Sequence, residues 1–169
     1  MFNVGDKVIH PAYGAGTILD INDKHIGERQ CTYYVIELLT QAGTLMVPVS
    51  RADELGLRSP VEEPDHLLTM LTSEPEVLDN DHRARQELIS TDIRSGDVQR
   101  ITEAVRDLAF RDREDRLTEA DLKLYRQAQD LLAGELALSQ DVDMETARHQ
   151  VTSVLEALST TEESAEATA

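Results

Sequence analysis

The sequence predicts an α+β protein: a small antiparallel β barrel or strongly bent sheet, followed by an all-helical part of about five helices. Three observations carry this. Between Lys7 and Val49 the apolar residues come in short β-forming runs, KVIH, GTILDI, CTYYVIELL and TLMVPV, separated by PAYGAG, NDKHIGERQ and TQAG. From residue 65 onward the apolar spacing changes to that of amphipathic helices. Between the two, RADELGLRSPVEEP sets Pro60 and Pro64 in an acidic run, which marks a linker or domain edge.

Each element follows from its own residues. Four or five strands fit into residues 1–55 only with tight connections, and Gly14 and Gly16 read as turn glycines. Residues 56–64 are the linker. A first short helix is DHLLTMLTS, with Leu67, Leu68 and Leu71 on one side, and NDHRARQELIS is a second, its apolar content in Leu88 and Ile89. The third starts near Asp97 and places Ile101, Ala104, Val105 and Leu108 at i, i+3, i+4 and i+7. In LTEAD, Thr118 can cap a fourth helix while Asp121 reaches back in a variant of the capping box. That helix runs Leu122, Tyr125, Ala128 or Gln129, Leu132 and Leu136 along one side. A fifth, from Met144 through Leu158, repeats the pattern with Ala147, Val151, Val154 and Leu155. The helical domain is thus expected over residues 65–159, and the small, acidic TTEESAEATA of 160–169 as a disordered tail.

Composition narrows the function. Of 169 residues 40% are apolar but only 4% aromatic, with no Trp, so the cores must be built from Leu, Val, Ile and Ala. Cys31 stands alone, which excludes an intramolecular disulfide and a multi-cysteine zinc site and predicts a buried strand thiol. With no leader-like N-terminus and no apolar run near the ~18 residues of a membrane span, a cytoplasmic location is expected, with no membrane partner. Phosphate-loop, dinucleotide, zinc-protease and nucleophile-elbow motifs are all missing, and His10, His25, His66, His82 and His149 lack ligand spacing. No catalytic residue, metal or cofactor is therefore expected, and the chain reads as a non-enzyme. A net charge of −17 opposes binding to a polyanion. Only residues 82–126 hold enough cations to offer a basic face, and there ten basic groups share the stretch with ten acids.

VGDKVIHPAYGAGTILDI, YYVIEL, LMVPV and above all SGDVQRITEAVRDLAFRDREDRLTEADLKLYRQAQDLLAGELAL resemble the CarD/CdnL family of bacterial RNA-polymerase-binding transcription regulators. The likeness runs from Phe2 to about Leu158. Transcription-repair coupling factors carry a module related to the opening β motif, but they continue into a large helicase motor rather than this helical half. The resemblance implies a Tudor-like N-terminal barrel that docks on the β-subunit lobe of RNA polymerase. It also implies a helical domain at the upstream edge of the promoter bubble, where a family Trp wedges into the minor groove and stabilises the open complex.

Carried over position by position, the resemblance is uneven. Counted back from Ser95, Gly96 and Asp97, the wedge Trp falls on His82, flanked by Arg83 and by Arg85 at a basic position, while Glu87 stands where members often carry Lys or Arg. Imidazole offers less apolar area to a base step than indole does. On the polymerase side Lys24 preserves a basic position and Met46 does not, leaving strand pairing and apolar contact through Leu45, Met46 and Val47. The expectation is a monomeric regulator that touches promoter DNA weakly while tethered to polymerase. The alternative is a polymerase-binding adaptor of the same fold that has lost DNA contact.

Overall fold

The computed structural model describes residues 1–26, 29–114 and 116–166, of which 26, 29 and 159–166 are described by backbone alone. The β-forming runs become β1 (Lys7–His10), β2 (Gly14–Ile26), β3 (Arg29–Leu38) and β4 (Thr44–Pro48), with a turn of 3-10 helix at Val49–Arg51. They pair antiparallel in chain order into an open half-barrel whose edge strands are β1 and β4. This half-barrel, with the five helices that follow it, is consistent with the expected Tudor-like N-terminal domain and helical C-terminal domain.

NDKHIGERQ, expected as a connection, is mostly strand: β2 and β3 stay in register out to Ile26 and Arg29, and residues 27 and 28 lie outside the described residues. Its polarity concealed the pairing. Thr32 Oγ1 donates to Asp23 Oδ1 at 2.7 Å and Gln30 Nε2 to Asp23 Oδ2 at 3.0 Å, so polar cross-strand pairs take the place of apolar ones. Gly14 is a turn glycine with φ +76°, but Gly16 lies within β2, where a Cβ would come within 2.5 Å of Ile36. Val8, Ile18, Tyr34, Ile36 and Val47 face inward with Ala52 and Leu57 and form the sheet's core. A bulge between Ile18 and Asp20 pushes Leu19 to the surface and resets the alternation of the outer ribbon.

The helices are α1 (Pro64–Leu71), α2 (His82–Ser95), α3 (Val98–Arg113), α4 (Glu119–Gln140) and α5 (Met144–Glu166). Pro64 is the first residue of α1, where its missing N–H costs nothing. Thr118 and Asp121 form the expected capping box of α4, and Ala128 rather than Gln129 is the buried member of its stripe. α5 continues to Glu166, into the segment expected to be disordered. Glu162, Glu163 and Ala165 are good helix formers and extend it, while 167–169 lie outside the described residues. Ile101, Val105, Leu108, Leu132, Leu136 and Val151 centre the helical core.

The segment expected as a linker is bonded to both halves. Arg58 pairs with Ile9 as a strand-like extension beside β1, through N–H···O bonds of 2.7 and 3.1 Å. Its guanidinium forks onto Glu135 of α4 with two 2.8 Å bonds and also donates to the Gly96 carbonyl at 3.3 Å. Glu135 accepts the Val61 N–H at 2.8 Å, and Ser139 Oγ donates to the Val61 carbonyl at 2.6 Å. Nearby, α4 lies so close to β2 that a Cβ at Gly134 would sit 2.9 Å from that of Ala15. Sheet and helices therefore share one continuous, hydrogen-bonded seam.

Candidate functional site

The pleat decides which expected polymerase-facing residues reach the surface. Directly paired residues share a face, so Asn22 and Lys24 of β2 stand with Tyr33 and Cys31 of β3, and Met46 of β4 stands beside Val35. Lys24 Nζ lies 3.2 Å from Met46 Sδ, joining two positions 22 residues apart. Leu45 and Val47 turn the other way: Val47 is 2% exposed in the sheet core and Leu45 is half-buried against it. The expectation that their side chains make an outward apolar contact is corrected accordingly. What they can offer outward is backbone, because β4 is an edge strand. Cys31, expected to be buried, is half-buried on the same outer face. A lysine beside half-buried Tyr33, Val35 and Met46, bordered by a free strand edge, suits an added protein strand.

The second expected site lies at the N-terminus of α2. Asp81 caps the helix, its Oδ1 accepting the N–H groups of Arg83 at 2.8 Å and Ala84 at 3.0 Å. Those backbone bonds hold its carboxyl below the usual range. His82 and Arg83 follow at the surface. Arg85 does not join them, being 1% exposed, with Nη2 on Asp121 Oδ2 at 2.7 Å and Nε on Oδ1 at 3.2 Å. Its Nη1 donates to the carbonyls of Asp79 at 2.7 Å and Asn80 at 3.3 Å. The expected DNA contact by Arg85 is thereby corrected to an internal role.

Asp121 is the hub of this cluster. Burial pushes its carboxyl up, but donors from Arg85, Thr118 and Gln86 outweigh burial and bring it down to about 2. On the far side of the loop Arg111 and Arg116 both donate to Asn80 Oδ1. The acidic run before α2 is tied to α3 as well, since Asp107 Oδ1 accepts the Glu76 N–H at 2.9 Å. A signal for the inward turn of Arg85 was present in the sequence: positions 85, 89 and 93 fall on one helical face, and the other two are Ile89 and Ile93. Leu88, by contrast, is 52% exposed.

Residues 2–61 match the CarD-like/TRCF RID domain and residues 66–152 match the CarD C-terminal domain. The chain belongs to the CarD family. YdeB of Bacillus subtilis (strain 168), a candidate transcription factor, is 28% identical over 145 residues, which cover 84% of this chain and 94% of YdeB. CarD-like domains imply a transcription regulator related to RNA polymerase interaction. The first CarD match ends at Val61, the residue bonded to Glu135 and Ser139, so the seam lies where the two CarD domains meet. Among the described residues no acid, His or Cys cluster could hold a metal ion, and no helix is long and apolar enough to cross a membrane.

Proposed function

We propose that the outer sheet face, with Lys24, Met46 and the free edge of β4, binds the β-subunit lobe of RNA polymerase. The N-terminus of α2, with His82 and Arg83, then meets the upstream edge of the promoter bubble and modulates open-complex stability. The observation that carries this reading is the meeting of Lys24 and Met46 beside an edge strand. A charge of −17 is compatible with DNA work only when the DNA is brought near by a tether, and the polymerase supplies that tether. Charge reversal at Lys24, or Met46→Asp, should weaken binding to the isolated lobe while the far-ultraviolet circular dichroism stays that of the parent. Equal lobe affinity in both variants would move the polymerase face elsewhere.

The DNA part has its own test, the lifetime of a promoter open complex. His82→Trp should lengthen that lifetime, because indole fills a base step that imidazole fills poorly. His82→Ala should change it little, by about 1 kcal/mol or less. A second reading, an adaptor without DNA contact, is favoured by one observation: Asp79, Asp81 and Glu87 are all exposed around His82, and Arg85 is turned inward. Unchanged lifetimes in both His82 variants, with lobe binding retained, would select the adaptor.

A further inference from the structure

We propose that Arg85 is a positioning residue: held by Asp121, it fixes the chain that leads into α2 and so aims His82. The proposal deepens the reading of the α2 N-terminus given above and rests on it. Residues 79–84 are all exposed, between Leu78 in the helical core and buried Arg85, so none of their own side chains is packed into the core. What holds it is hydrogen bonding from below. One guanidinium binds the carbonyls of both Asp79 and Asn80, the two residues before the N-cap, while its other edge forks onto Asp121.

Asp121 is itself fixed, accepting the Thr118 N–H and Oγ1 at 2.8 Å each and Gln86 Nε2 at 3.3 Å. From the other side Arg111 and Arg116 hold the Asn80 side chain, and Arg111 Nε is anchored on the Arg116 carbonyl at 3.1 Å. Groups on α3, on α4 and in the loop between them thus converge on the residues immediately before His82. A buried Arg–Asp pair adds little stability over a well-packed apolar pair. It adds direction, because planar bidentate bonds are made in one orientation only. Lysine at position 85 keeps the charge but has one point-like ammonium, which cannot serve both Asp121 oxygens and two carbonyls together.

The absence of Trp from the chain makes the test direct, since His82→Trp places a lone indole at the position in question. Two second substitutions are combined with it: Arg85→Lys, and the exposed, milder Asn80→Ala, which removes the Arg111 and Arg116 contacts without touching the core. Well below the melting temperature of each variant, both should lower the indole's fluorescence anisotropy in the free protein and raise its quenching by acrylamide. Both should also remove most of the open-complex lifetime gained by His82→Trp, with lobe binding unchanged. A role in global stability alone would lower the melting temperature and leave anisotropy and lifetime gain intact, and that result overturns the proposal. Should His82→Trp give no lifetime gain with Arg85 in place, the placement of α2 at the fork falls. The anisotropy then decides positioning alone, a drop supporting it and no drop overturning it.

Discussion

Arg58→Ala is expected to destabilise the protein by about 3–5 kcal/mol, and Glu135→Ala by less, although the two residues form one ion pair. The asymmetry comes from their surroundings. The Glu135 side chain is 2% exposed and the Arg58 side chain 35%. Removing Arg58 leaves a carboxylate in the seam with, among the described residues, the Val61 N–H as its remaining donor, and a buried unpaired charge carries most of the cost of breaking such a pair. Removing Glu135 leaves a guanidinium that can turn toward water and keep the Gly96 carbonyl. Against a typical total of about 5–15 kcal/mol, the first loss is a large fraction of the fold's stability. Urea unfolding of both variants and of the double variant checks this. The double variant should cost clearly less than the sum, since the orphaned charge is then gone. Equal single costs, or strict additivity, would mean that the fork contributes no more than an exposed pair does.

Where a residue's role is set by its neighbours along the chain, the sequence displayed it. The Thr118 and Asp121 cap, the start of α3 near Asp97, and the stripe of Ile101, Ala104, Val105 and Leu108 are local or periodic features, and all appear as expected. Where the role is set by a partner far along the chain, it was hidden. Asp121 was legible as a cap but not as the counter-ion of Arg85, 36 residues earlier. Glu135 lies in an apolar stretch buried on two sides, Leu132 to Leu138, where a charge must find a partner, yet nothing local names Arg58 as that partner. The ribbon of β2 and β3 was misread because its pairs are polar, and Val47 because an apolar strand run does not say which alternate residues face inward without its register. Family resemblance supplied the candidate positions 24, 46, 82 and 85. The pleat and the helical face then divided them, keeping Lys24, Met46 and His82 outside and turning Arg85 in.

Acid should remove the stabilisation that Asp121 provides, in a window its own titration defines. Its carboxyl ionises at about 2 in the folded protein against an ordinary value of 3.8, so the native state favours the charged form. A carboxylate held down in this way contributes stability that is complete above its unfolded value and is lost as the pH falls through the folded one. The contribution is therefore full above about pH 4 and disappears toward about pH 2, and the size of the shift makes it roughly 2 kcal/mol. Asp121→Asn isolates the effect, because every other carboxylate titrates alike in parent and variant and cancels in their difference. At neutral pH the variant leaves the 1%-exposed Arg85 guanidinium without its counter-charge and should be less stable by about 3–5 kcal/mol. Between pH 4 and pH 2 the gap should close by roughly 2 kcal/mol as the parent's own carboxyl takes up its proton, read from urea unfolding at a series of pH values. A gap that stays constant down to pH 2 would mean that Arg85 and Asp121 hold each other by geometry alone, with no preference for the charged acid.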